Sequence, residues 1–123
     1  MRVHSKHLHL ARRKMARILD EIYTALLHYG SGDVRMRIVK EAEGLRLFVQ
    51  SDFDPGYRDE LRRMGELLQP AVKSPAMVEE FWELAGEDPY TSESEMALIG
   101  QMADAVAFTL RETAVEIEVW VQY

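Results

Sequence analysis

With 123 residues, nearly half of them hydrophobic, the chain fits one domain over residues 1–123, large enough to bury a real core without covalent staples. The absence of cysteine excludes a disulfide framework, a thiolate metal site and a thiol nucleophile, and it suits a reducing cytoplasm. The net charge of −6 is uneven, with nine Lys or Arg against three Asp or Glu in residues 1–40, and six against eighteen in residues 41–123. An acidic majority argues against nucleic acid as a partner. No apolar run is long enough for a membrane span, and the start lacks the apolar core of a signal peptide, so a soluble cytoplasmic protein is expected.

Ala11, Met15, Ile18, Ile22, Leu26 and Tyr29 recur at steps of three and four, which predicts one buried face of a long helix from Leu8 onward. Leu8, Leu19 and Ala25 widen that stripe, while Arg12, Arg13, Lys14 and Arg17 make its early turns basic. Gly30 ends it, because glycine accepts the left-handed conformation of a helix end. Val34, Met36 and Ile38 then alternate with Arg35, Arg37 and Val39, and Leu45, Leu47 and Val49 with Arg46, Phe48 and Gln50. Period-two patterning on both sides of a short loop ending in Gly44 predicts an antiparallel hairpin with one buried face.

Residues 51–56 are a loop by composition. Leu61, Met64, Leu67 and Leu68 predict a short helix over 58–69, closed by Pro70. Ser74 and Pro75 signal another helix start, with Val78, Phe81, Trp82 and Ala85 on its apolar side and Gly86 at its end. Ser92 and Glu95 have capping-box spacing ahead of a helix carrying Leu98, Ile99, Met102, Ala103 and Val106. A second hairpin closes the chain: Val106, Phe108 and Leu110, a turn near Glu112, then Val115, Ile117, Val119 and Val121 opposite Glu116, Glu118, Trp120 and Gln122. The order α-β-β-α-α-α-β-β predicts an α+β two-layer sandwich, an antiparallel or mixed sheet with helices on one face.

Several clusters suggest chemistry and then fall short of it. His4, His7 and His9 lie close together, but a zinc site needs three or four ligands of fixed geometry and nothing nearby supplies the rest, so no metal is expected. Asp52, Asp54 and Gly56 evoke a calcium loop, yet Pro55 stands where an oxygen ligand belongs and Arg63 where the twelfth-position glutamate should be. Acidic turn residues bonding their own backbone explain them better. Glu79, Glu80 and Glu83 fit the solvated side of an amphipathic helix. There is no Walker loop, dinucleotide fingerprint or nucleophile elbow. The outward side of the two hairpins is more informative: Arg35, Arg37 and Arg46 share it with Phe48, and Glu116 and Glu118 with Trp120. Opposite charges on neighbouring strands pair across a sheet, and aromatics among them suit a docking surface.

One stretch resembles a known family. A helix bearing Glu21, with Ala25 four residues on, a glycine turn from Gly30 and the hairpin strand Val34, Arg35, Met36, Arg37, Ile38 is similar to a segment of the Bergerat, or GHKL, ATP-binding fold of the anti-sigma-factor serine kinase type. There a Glu-x-x-x-Asn motif provides an activating glutamate, matched by Glu21, and a magnesium-holding asparagine, whose place Ala25 takes. The family's Asp-x-Gly-x-Gly adenine loop corresponds to residues 51–56, which keep Asp52, Asp54 and Gly56 in altered spacing. Its glycine-rich phosphate turn corresponds to Ser92, Glu93, Ser94 and Glu95, without glycine.

The resemblance therefore implies a scaffold whose nucleotide-gripping motifs are broken, because magnesium ligation and phosphate positioning are what such sites supply. The expected protein is a non-catalytic regulatory domain acting by protein–protein contact in transcription or stress signalling, with no cofactor. Its expected partner surfaces are Arg13 and Arg17 on the first helix and Phe48 and Trp120 on the sheet, and a homodimer through either is open. An alternative is an ATP-dependent serine/threonine protein kinase or ATPase using magnesium, Glu21 as base, and Asp52, Asp54 and Gly56 at the adenine. Another is an unrelated α+β domain that binds a small ligand.

Overall fold

A computed structural model of the chain describes residues 5–69 and 92–123. Helix α1 spans Ser5–His28, and its stripe of Ala11, Met15, Ile18, Ile22 and Leu26 is buried. Each fully buried Leu or Ile contributes about 1.5–3 kcal/mol relative to exposure. At the end of α1 the Ser31 N–H donates to the Leu26 carbonyl at 3.0 Å and the Gly30 N–H to Leu27 at 3.2 Å. That paired closure requires a left-handed residue between them, and Gly30 supplies it with φ of 83°.

Strands β1 (Val34–Lys40) and β2 (Gly44–Asp52) form the first hairpin, and β3 (Ala105–Leu110) and β4 (Ala114–Gln122) the second. All pairings are antiparallel, and the strand order across the sheet is β1-β2-β4-β3. Helix α1 packs on β2 and β4, α2 (Arg58–Leu67) packs on β3, and α3 (Ser92–Met102) packs on both helices. Helices thus cover one face of an antiparallel sheet. The core lies between the layers, where Leu45, Leu47 and Val49 of β2 and Val115, Ile117, Val119 and Val121 of β4 meet α1.

The described elements follow the order read from the sequence, with differences at their ends. Strand β2 continues through Ser51 and Asp52, because those residues still have partners in Val34 and Val115 and in Ala114. A 3₁₀ turn, Pro55–Tyr57, precedes α2. Helix α3 stops at Met102, and Val106 belongs to the strand, paired with Val119. Ile38, on the inner side of edge strand β1, remains 46% exposed, so the helical layer does not cover that end of the sheet. The helix expected after Ser74, with Glu79, Glu80 and Glu83, lies outside the described residues.

Candidate functional site

The face of the sheet away from the helices is built from the residues that alternate with the core. Its register forms three rows across four strands. One row is Arg35, Gln50, Glu116 and Thr109; the next is Arg37, Phe48, Glu118 and Ala107; the third is Val39, Arg46, Trp120 and Ala105. Positive charge therefore gathers toward the β1 edge, negative charge on β4, and small side chains on β3.

The two aromatic rings on this face are half-buried rather than free, and arginines do the covering. The Arg37 guanidinium carbon stands 4.6 Å from the Phe48 ring centre, and that of Arg46 stands 4.7 Å from Trp120. Arg46 also donates to Glu41 Oε2 at 2.9 Å and to Glu118 Oε1 at 3.0 Å, so one guanidinium joins β2, β4 and the hairpin turn. The expected cross-strand pairing of opposite charges is present in that bridge. The bond to Glu41, with Glu118 adding to it, holds the Arg46 guanidinium more firmly in its charged form. Gly44 makes room for the indole, since a Cβ there would stand 2.6 Å from the ring's Cη2 and 2.5 Å from the Val121 carbonyl oxygen. Between the arginines of β1 and the small residues of β3 the face dips into a trough of about 500 Å³.

The other expected partner residues, Arg13 and Arg17, lie on the helical layer, so the structure does not bring them together with Phe48 and Trp120. Arg13 is exposed. Arg17 pairs with Glu21 at 3.3 Å one turn along. Glu21 itself is largely covered, and its carboxyl is pushed up to about 7. The chief cause is a hydrogen bond shared with Glu95 of α3, followed by burial and by Glu95's negative charge, while Arg17 pulls the other way. Ala25, where the resemblance puts a magnesium-holding asparagine, is buried and offers only a methyl group.

Asp52 and Asp54 are engaged by backbone. Asp52 Oδ1 accepts from the Gly32 and Asp33 N–H groups at 2.8 and 2.9 Å, tying the turn after α1 to the end of β2. Those two bonds hold its carboxyl below the usual range. Asp54 accepts from the Gly56 N–H at 3.0 Å and caps the 3₁₀ turn, as acidic turn residues are expected to do. Beside this loop the rings of His28, Tyr29 and Tyr57 lie 5.4–5.9 Å apart, next to a crevice of about 340 Å³ lined in part by Arg63, Met64 and Met96. Among the described residues no three His, Asp or Glu side chains converge to hold a metal ion, and His4 lies outside them.

Sequence reasoning missed three things: Glu95 as the neighbour of Glu21, Glu41 as a partner of Arg46, and the ring-on-guanidinium stacking. The stacking was available in principle. A four-residue turn over 41–44, closed by the Glu41 N–H to Gly44 carbonyl bond, sets Arg37 opposite Phe48. No protein-family model, curated protein or solved structure matches the chain.

Proposed function

We propose that the protein is a non-catalytic regulatory domain, a relative of the GHKL fold of the anti-sigma-factor kinase type, that acts in the cytoplasm by binding another protein in transcription or stress signalling. The observation that carries this reading is the outer sheet face, where two half-buried rings stacked by arginines sit among opposed charges with no layer of described residues over them. Rigid aromatic anchors inside a polar surround suit protein recognition. The succession helix, hairpin, helix, helix, hairpin supports the kinship. The buried methyl of Ala25 and the backbone-engaged Asp52 and Asp54 support lost catalysis. No helix among the described residues is long and apolar enough to cross a membrane, which is compatible with the location.

The test couples capture with ligand titration. Immobilised chain retains its partner, Arg37→Glu and Trp120→Ala lose it, and millimolar ATP with magnesium leaves Tm unchanged. Retention by both variants, each still folded, would remove the sheet face from the reading.

Two observations favour the kinase or ATPase alternative: Glu21 near neutrality, as a general base requires, and the crevice beside His28 and Tyr29. A ligand bound only by the folded chain must raise its stability. A Tm rise with ATP and magnesium that Asp52→Ala and Asp54→Ala abolish would therefore replace the first reading with this one.

A further inference from the structure

We infer that the open edge of the sheet at β1 takes an added strand from a partner protein, an extended segment in which acidic and aliphatic residues alternate. The inference rests on the protein-binding reading and names the chemistry of the partner. Among the described residues β1 has a strand beside it on one side only. The Glu41 N–H donates to the Gly44 carbonyl at 2.9 Å, which makes that pair the first hydrogen-bonded rung of the hairpin. Antiparallel rungs recur at every second residue, so Val39, Arg37 and Arg35 turn their N–H and C=O groups toward β2. Met36, Ile38 and Lys40 therefore aim theirs out of the edge, where a further strand can take them up.

The two edges of the sheet are not equivalent. Strand β3 is packed by α2, and its outward residues Ala105, Ala107 and Thr109 carry no charge. Over β1 the helical layer stops short: α1 packs on β2 and β4, and Ile38 stays exposed. An added strand sets one row of side chains beside Met36 and Ile38 and the alternate row beside Arg35 and Arg37. Aliphatic groups suit the first row, because they extend an apolar strip that the helices leave half-covered. Carboxylates suit the second. The residues level with Arg35 and Arg37 on β2 are Gln50 and Phe48, neither of them acidic. Among the described residues Arg35 has only an exposed contact with Asp33 at 3.3 Å, and Arg37 has a ring against it but no carboxylate within ion-pair distance. Strand β4 shows the matching pattern inside this same sheet, with Glu116 and Glu118 between Val115, Ile117 and Val119, and there Glu118 reaches Arg46 of β2 at 3.0 Å. Because β1 carries Arg35, Arg37 and Lys40 without an acid, it repels another β1, which argues for an acidic partner over edge-to-edge pairing of two copies.

The probe is a short fluorescein-labelled peptide of alternating Glu and Val, with its Lys-Val counterpart as control. Fluorescence anisotropy should show the chain binding the acidic peptide roughly tenfold more tightly than the basic one, and Arg35→Glu should erase that preference. On binding, amide hydrogen exchange should slow far more at Met36 and Ile38 than at Arg35 and Arg37, whose N–H groups already bond to β2. Ile38→Pro removes an outward N–H without breaking a bond to β2, so it should abolish peptide binding while the far-ultraviolet circular dichroism stays native. No preference between the two peptides overturns the inference, as does binding that leaves exchange at Met36 and Ile38 unchanged. Slow exchange at those amides before peptide is added also overturns it, giving the edge to a second copy if it grows with protein concentration and to this chain itself if it does not. Capture of a partner that Trp120→Ala loses and Ile38→Pro keeps would remove the added strand and leave the regulatory reading in place.

Discussion

The two faces of one sheet are made by the same alternation and held by different forces. On β2, Leu47 is fully buried while its neighbours Arg46 and Phe48, pointing the other way, remain half-exposed. Inside, stability comes from apolar area removed from water, which is non-directional and tolerates modest changes of shape. Outside, it comes from pairs that must meet in register: a guanidinium on a ring, and a guanidinium shared by two carboxylates. The inner face thus carries most of the folding energy, whereas the outer face retains charges and rings that no packing requirement explains. That difference is why function is sought outside.

Substitutions should separate the two faces by size of effect. Leu47→Ala removes a fully buried side chain beneath α1 and should cost about 2–5 kcal/mol in denaturant unfolding, with an unchanged m-value. Gly65→Ala should cost about 1–3 kcal/mol despite alanine's better helix propensity, because a methyl group there collides with the Phe108 ring that α2 packs against. On the outer face, Phe48→Ala should cost only about 1 kcal/mol, since its ring is half-exposed and loses mainly the Arg37 stack. If Phe48→Ala instead destabilised the chain as much as Leu47→Ala, the outer face would be structural and the argument for a docking surface would lose its footing.

Much of this arrangement was legible in the sequence because it depends on periodicity. The stripe on α1 and the alternation on β2 and β4 gave the layers and the inward sets directly, and Gly30 marked the helix end through its conformational freedom. What stayed hidden depends on which elements become neighbours. Nothing in the spacing of Glu21 and Glu95 announces that α1 and α3 set their carboxyls together, since that follows from how the second half of the chain returns across the first. The end of β2 lies further along for a related reason: Ser51 and Asp52 look like loop residues by composition, but Ser51 has partners on both sides and Asp52 one in Ala114, which keeps them in the ladder. Ile38 looked like core by alternation and is exposed because it sits on an edge strand.

That hidden pair gives the smallest predicted effect, read as a pH dependence. Glu21's carboxyl is raised from 4.5 to about 7, so the folded chain holds this proton more tightly than the unfolded chain does. Protonation therefore favours folding, and the contribution of this group is fully present below pH 4.5 and lost as pH rises through about 7. Measured Tm should fall by a few degrees between pH 5 and pH 8, and Glu21→Gln, which keeps a hydrogen-bonding group without a charge, should flatten that slope. Arg17→Ala should move the midpoint of the slope upward, because Arg17 is the cation that favours the ionised form. The outer face provides the internal control: Phe48→Ala removes no ionisable group, so it should lower Tm without changing the slope between pH 5 and pH 8. An unchanged slope in Glu21→Gln would show that the responsible proton does not sit between the helices.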